Sequence, residues 1–99
     1  MTEDDSGDSN GDGEADTERV WLVEREYTDK GLVTIVYAST DGEWYLQRQL
    51  SERMLMRSDV TAGQDVETAR FEPTPAEERE RYAAEASRMA ETHDPDDAV

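Results

Sequence analysis

The chain has no cysteine, a single lysine and no long apolar segment. Without a thiol it can form no disulfide, no cysteine-ligated zinc site and no cysteine nucleophile. Without a run of about 18 apolar residues, we expect no membrane-spanning helix. The N-terminus is acidic and has neither the basic nor the apolar region of a secretory signal. Together these absences predict a soluble, cytoplasmic protein.

Apolar residues are also scarce. They make up 34% of the 99 residues, below the usual share in globular domains. The length allows one small domain, and most large apolar residues lie between Val20 and Phe71. A core of this size is only marginally stable on its own. We therefore expect the chain to associate with another protein or with further copies of itself.

Negative charge is what the chain has in excess, with 26 acidic against 10 basic residues and a net charge of −16. Such charge repels itself at ordinary ionic strength, whereas molar salt shortens the screening length to about 3 Å. The abundant Asp and Glu, with Arg as almost the only cation, resemble the composition of acidic proteins of halophilic archaea. That resemblance implies a salt-adapted cytoplasm and identifies no functional family. The alternative is an acidic regulatory protein of an ordinary cell.

The charge divides the chain into three parts. Residues 1–18 contain eight acidic residues, no basic residue and no large apolar residue after Met1. This composition cannot bury enough surface to offset the entropy of ordering, so we predict a disordered acidic tail. Residues 19–93 are predicted to form a single small domain. Residues 94–99 are expected to fray, because Asp94-Pro95 ends the last helix.

Hydrophobic alternation and two turn signals predict a three-stranded antiparallel meander over residues 20–50. Gly31 closes the first turn and Asp41-Gly42 the second. These turns pair Val23 with Tyr37 and Tyr37 with Leu46. Both registers place the same apolar set on one face: Trp21, Val23, Tyr27, Val33, Ile35, Tyr37, Trp44, Leu46 and Leu50. A bulged turn at Asp41-Gly42 would instead place Val36 opposite Leu46.

The second half of the chain predicts one long helix. Residues 51–57 either extend the third strand or form a helical turn, and residues 66–71 are a candidate fourth strand. Thr74 followed by Pro75 and Glu77 is typical of a helix N-terminus with a capping box. The helix should run to about Thr92. The predicted fold is therefore α+β, a three- to four-stranded meander with one C-terminal helix packed on its apolar face.

The sequence signals for a metal, phosphate or catalytic site are weak. Asp8, Asn10 and Asp12 match the first half of a calcium loop, but Arg19 stands where the bidentate Glu belongs. In a tail so rich in Asp and Gly a partial match is expected by chance. His93 is the only histidine, no Gly-rich phosphate loop occurs, and the many carboxylates make any pair uninformative. We predict no enzyme, no catalytic residue, no metal site and no cofactor.

Arginines provide the candidate contacts to a partner. Arg25 and Arg48 fall in one cross-strand row on the predicted apolar face, where a charge must be paired or reach the edge of the sheet. Arg48, Arg53 and Arg57 form the only locally basic stretch, and Tyr45 beside them is predicted to point away from the core. We name these five residues as possible contacts. A protein is the preferred partner, and nucleic acid is the alternative.

We predict that folding depends on salt. Raising KCl from about 0.1 M to about 3 M should increase the ordered circular dichroism signal and the melting temperature, because screening removes self-repulsion. A melting temperature that stays constant over this range would contradict a salt-adapted chain.

Overall fold

The computed structural model describes residues 16–28, 30–57 and 60–99, with only the backbone of residues 56 and 57. Its elements are β1 (Thr17–Tyr27), β2 (Leu32–Ala38), β3 (Trp44–Ser51), α1 (Glu52–Arg57), β4 (Gly63–Glu67), a 3-10 turn (Thr68–Arg70), β5 (Glu72–Pro73) and α2 (Ala76–Thr92). The strands form one antiparallel sheet in the order β4-β1-β2-β3-β5. This confirms the α+β fold and its C-terminal helix, with five strands where three or four were predicted.

The first strand begins earlier than predicted. Thr17 pairs with Glu67, and Glu18 pairs with Val66, so these two residues belong to the sheet. The predicted acidic tail otherwise lies, as far as residue 15, outside the described residues.

Both predicted turns form at the glycines, where the backbone adopts positive φ angles of 77° at Gly31 and 75° at Gly42. The pairing of Tyr37 with Leu46 is confirmed, and the bulged alternative is not adopted. The second loop is longer than the two-residue turn predicted. Ser39 bonds to Trp44, so residues 40–43 form the loop, and within it the Gly42 N–H donates to the Ser39 carbonyl at 2.9 Å. The register is nevertheless the predicted one.

A β-bulge at Val23 corrects the register of β1. Tyr37 pairs with Leu22, and the ladder resumes with Glu24 opposite Val36. The predicted pairing of Val23 with Tyr37 was therefore wrong. An extra residue in one strand rotates everything on its N-terminal side to the other face of the sheet.

The two faces of the sheet are consequently both packed. On one, the helix face, Trp21, Val36 and Ala38 are buried beneath α2, whose Tyr82 and Ala86 cover them. The other, the cleft face, carries the largest apolar cluster: Val20, Leu22, Val33, Ile35, Tyr37 and Val66. Partly buried residues that follow β3 cover this second face: Leu55, Val60 and Phe71. The helix was expected on the face of Val33, Ile35 and Tyr37, and it lies on the opposite one.

The N-terminus of α2 differs from the predicted capping box. The helix begins at Ala76 with Pro75 at the N-cap position and no side-chain cap. Thr74 is 2% exposed, and its Oγ1 has no hydrogen-bond partner among the described residues. Its N–H donates instead to the Glu43 carbonyl at 2.9 Å, which ties this segment to the β2–β3 loop. Thr74 therefore serves as a tether rather than as a cap.

The segment after α2 also corrects an expectation. Residues 94–99 were predicted to fray, but they are hydrogen-bonded to the start of β4. The Ala62 N–H donates to the Asp97 carbonyl at 2.8 Å, and the Gly63 N–H donates to the Pro95 carbonyl at 2.9 Å. Ala98 forms a bridge with Thr61. These bonds hold the C-terminal segment against residues 61–63 at the start of β4.

The β2–β3 loop carries a hydrogen-bonded carboxylate. The Asp41 carboxylate accepts hydrogen bonds from the Ser39 hydroxyl at 2.6 Å and from the Glu43 N–H at 3.0 Å. These two bonds, the Ser39 bond first, lower the pKa of Asp41 below its ordinary value of 3.8. The carboxylate therefore stabilises the loop above that pH, and the contribution is lost as the pH falls through the lowered pKa.

The same loop is where α2 meets the sheet. A Cβ atom at Gly42 would lie 2.2 Å from the carbonyl oxygen of Arg79 and 2.8 Å from the Cβ of Ala83. The Ser87 hydroxyl donates to the Thr40 carbonyl at 3.3 Å, one turn further along α2. Gly42 is thus required both by its φ angle and by the closeness of the helix backbone.

We predict that Gly42→Ala lowers the free energy of unfolding by about 3 kcal/mol or more, because left-handed strain adds to a backbone collision. Gly31→Ala is the matched control, since Gly31 has a similar φ angle but open space around its Cβ position. It should cost only about 1–2 kcal/mol. Urea denaturation at one fixed KCl concentration compares them, and equal losses would contradict the close approach of α2.

Candidate functional site

The outer edge of β3 is largely open. β5 pairs with Trp44 and Tyr45 only, and the rest of β3 has no neighbouring strand among the described residues. Gln47, Arg48 and Gln49 are exposed along this stretch. We refer to residues 46–51 as the open edge.

The direction of the backbone groups on the open edge follows from the ladder with β2. The Ser39 N–H donates to the Trp44 carbonyl at 3.1 Å, so Trp44 bonds toward β2. Hydrogen-bonded and non-hydrogen-bonded pairs alternate along antiparallel strands. Arg48 therefore bonds toward β2, while Gln47 and Gln49 direct their N–H and C=O groups outward. Within the described part of the chain, no hydrogen bond is made to these four groups.

The opposite edge of the sheet, at β4, is protected. The Leu22 N–H donates to the Ala62 carbonyl at 2.8 Å, so the same alternation directs the backbone of Asp65 and Glu67 outward. Both side chains are carboxylates, and charged side chains prevent accidental pairing at an edge. Asp65 also forms an ion pair with Arg19. The open edge of β3 has no such protection, because no acidic residue occurs in residues 44–51.

The structure brings Arg25 and Arg48 together as predicted. Arg25 pairs with Ile35, and Ile35 pairs with Arg48, so the two arginines flank it on the cleft face. The Arg25 Nη2 donates to the Val99 carbonyl at 2.8 Å. No carboxylate of the described residues forms an ion pair with either guanidinium.

The other predicted contacts lie elsewhere. Tyr45 lies on the helix face, where its ring centroid is 6.2 Å from that of Tyr82 and its hydroxyl is 3.4 Å from Glu72 Oε1. It is therefore not beside Arg48, and it packs under α2 although it was predicted to point away from the core. Arg53 is exposed on α1, and the side chain of Arg57 lies outside the described residues.

A cleft of about 240 Å³ lies on the cleft face and is lined in part by residues 60–64. Its lining combines four apolar residues with two polar residues, one tyrosine and one arginine: Ile35, Leu50, Met54, Val60, Thr61, Gln64, Tyr37 and Arg48. The Tyr37 hydroxyl donates to the Thr61 carbonyl at 2.8 Å and holds this segment over the sheet. Burial raises the pKa of Tyr37, opposed by that bond and by the positive charges of Arg48 and Arg25.

Comparison with known proteins places the chain in a family. Residues 14–99 match the model of DUF7967, a family of unknown function. The chain belongs to the DUF7967 family. No curated protein and no solved structure matches it. The matched residues include the whole described DUF7967 fold, whereas the partial calcium motif at residues 8–13 precedes the match.

Acidic residues after α2 of this DUF7967 chain form a small cluster. Carboxylate oxygens of Asp94, Asp96 and Asp97 lie within 4.8 Å of one another. Asp97 Oδ2 accepts a hydrogen bond from the Asp94 N–H at 2.9 Å, as expected in a turn. His93 lies beside this cluster, and its Nδ1 is 2.9 Å from Thr92 Oγ1. No helix among the described residues has the length and apolar character needed to cross a membrane.

The cleft and the protected β4 edge of the DUF7967 fold were missed by sequence reasoning. Val60, Thr61 and Gln64 come from a segment whose sequence predicts only a loop, so nothing marked them as lining residues. The predicted three-stranded meander leaves two sheet edges, and nothing in that prediction indicated which of them is open. The absence of acidic residues in residues 44–51 was a signal that could have distinguished it.

We predict that Gln47→Pro lowers the free energy of unfolding by less than about 1 kcal/mol, because it removes only an outward N–H at a sheet edge. Arg48→Pro removes an N–H bonded to β2 and should cost about 3 kcal/mol or more. Urea denaturation of both variants measures the difference. Similar losses, or a larger loss for Gln47→Pro, would contradict the assigned direction of the β3 backbone.

Proposed function

We propose that this DUF7967 chain is a non-enzymatic interaction module of a salt-adapted cytoplasm, which binds an extended segment of a partner protein along the open edge of β3. The observation that carries this proposal is the outward backbone of Gln47 and Gln49, which offers two donors and two acceptors. When a peptide strand adds to a sheet edge, its hydrogen bonds to such backbone groups provide affinity. The contacts of every second side chain provide specificity.

The geometry of the open edge indicates what the partner segment should contain. Gln47 and Gln49 would form the hydrogen-bonded pairs of the new ladder, so Arg48 would occupy the close, non-hydrogen-bonded pair between them. The Cα atoms of the two residues in such a pair are about 4.5 Å apart, so side chains of opposite charge attract each other. We therefore expect an acidic residue opposite Arg48, with apolar residues in line with Leu46 and Leu50.

The contrast between the two edges supports binding at β3 rather than at β4. Asp65 and Glu67 place carboxylates along the β4 edge, where an approaching strand would meet negative charge. The open edge presents two neutral amides and one arginine in a chain of net charge −16. At molar salt the screening length is about 3 Å, so these local groups outweigh the repulsion of the distant carboxylates.

Nucleic acid is the competing partner. Arg48 and Arg53 are exposed, which a phosphate contact requires. Tyr45, the aromatic residue named as a possible contact, packs instead against Tyr82 on the helix face. For this reason we expect the partner to be a protein, and nuclease treatment distinguishes it from a nucleic acid.

The test compares capture by three tagged forms in a high-salt lysate of a halophilic archaeon: the unchanged chain, Gln47→Pro and Asp65→Pro. Asp65→Pro is the matched control, because it removes an outward N–H from the other edge. We expect a protein that resists nuclease treatment and is retained by the unchanged chain and by Asp65→Pro, but lost with Gln47→Pro. In the purified complex the amide hydrogens of Gln47 and Gln49 should exchange more slowly than in the free chain.

Two results would contradict the proposal. One is a partner that Gln47→Pro retains, or that leaves the exchange of both amides unchanged. The other is capture abolished by nuclease, which would favour the nucleic-acid alternative. Sedimentation equilibrium of the chain alone completes the test: self-association that Gln47→Pro abolishes would identify the partner as a second copy.

A further inference from the structure

The cleft beneath residues 60–64 has a composition that differs from the rest of the surface. Four of its lining residues are apolar, namely Ile35, Leu50, Met54 and Val60. Its volume of about 240 Å³ is slightly below the range of about 300–1,000 Å³ found for sites of drug-sized ligands. A ligand that fits it should therefore be small and largely apolar.

Charge indicates the polar end of that ligand. Arg48 lines the cleft, is exposed, and has no ion-pair partner within the described ranges. None of the lining residues that the structure describes is acidic, although the chain has 26 acidic residues. The cleft thus combines an apolar wall with one available guanidinium.

Arg25, the other arginine in the cross-strand row with Ile35 and Arg48, already has a hydrogen-bond partner. Arg25 donates to the backbone oxygen of Val99 at 2.8 Å. Among the described residues of this row, the one remaining guanidinium matches one negative charge better than two, particularly in a chain of net charge −16. The planar donor fork of arginine binds a carboxylate through two parallel hydrogen bonds.

We propose that this cleft binds a small monocarboxylic acid with a short unbranched apolar tail, its carboxylate on Arg48 and its tail against Ile35, Leu50 and Val60. This site shares Arg48 and Leu50 with the open edge but does not use the outward backbone groups of Gln47 and Gln49, and its other walls belong to the cleft face and to the segment held by the Tyr37–Thr61 hydrogen bond. Gln64 lines the cleft from β4, on the far side of the sheet from Arg48 on β3.

The experiment is a methyl and amide NMR titration of the full chain at the lowest KCl concentration that keeps it folded. Hexanoate should cause saturable shifts at Ile35, Leu50 and Val60 with a Kd on the order of 1 mM. Butyrate should bind about 15-fold more weakly, because each buried methylene contributes about fourfold. Hexanol, which lacks the charge, should bind at least about tenfold more weakly than hexanoate.

Variants separate the two ends of the ligand. Arg48→Gln should weaken hexanoate binding at least about tenfold. Arg53→Gln is the matched control, because Arg53 is an exposed arginine on α1 that does not line the cleft, and it should leave the Kd unchanged. If Arg48→Gln does not fold, the comparison of hexanoate with hexanol on the unchanged chain tests the same contact.

Three results would overturn the site. The first is the absence of saturable shifts at the cleft residues with hexanoate at concentrations on the order of 50 mM, well above the expected Kd. The second is hexanol binding as tightly as hexanoate, which would leave Arg48 without a role. The third is inorganic phosphate shifting the same residues more strongly than hexanoate, which would indicate a general anion site. Intermolecular contacts between the hexanoate methyl group and Val60 would support the placement of the tail.

Discussion

The bulge at Val23 is the feature on which the rest of the structure depends. It turns Trp21 toward α2 and Leu22 toward the cleft face, so the short apolar set of this chain is shared between two packed faces. Glu24 lies on the C-terminal side of the bulge and on the helix face, where its carboxylate meets the Arg81 guanidinium at 3.0 Å. Without the extra residue, Trp21 would lie on the cleft face and α2 would lose its largest buried partner.

Packing both faces has a consequence for the edges. The segment after β3 must cross the cleft face to reach β4, so it cannot continue along the outer side of β3. Of the residues that the structure describes, the two of β5 alone return to pair on that side. The open edge is therefore a result of the connectivity, and its freedom from acidic residues is what makes it suited to a partner strand. The cleft arises from the same crossing, since Val60 and Thr61 form its cover.

The local parts of the fold could be predicted from the sequence, because turn chemistry and alternation act over a few residues. Gly31 and Gly42 identified both turns, and the pairing of Tyr37 with Leu46 followed from them. The bulge could not be predicted, because Val20 to Val23 are all apolar and an apolar run shows no alternation to reveal an extra residue. The predicted capping box at Thr74 does not form, because a tertiary hydrogen bond to Glu43 positions that residue instead.

Among the candidate contacts, the row of Arg25 and Arg48 depended on local register and was confirmed. The position of Tyr45, by contrast, depended on which face of the sheet α2 covers.

The cross-strand contacts of Tyr37 test the central role of the bulge most directly. In the structure Leu22 and Tyr37 form a non-hydrogen-bonded pair, whose Cα atoms should be about 4.5 Å apart. A nuclear Overhauser spectrum of the folded chain at high KCl should therefore show a strong contact between the Hα atoms of Leu22 and Tyr37. A strong contact between the Hα atoms of Val23 and Tyr37 in its place would show a regular ladder without the bulge, and would contradict this account of the two faces.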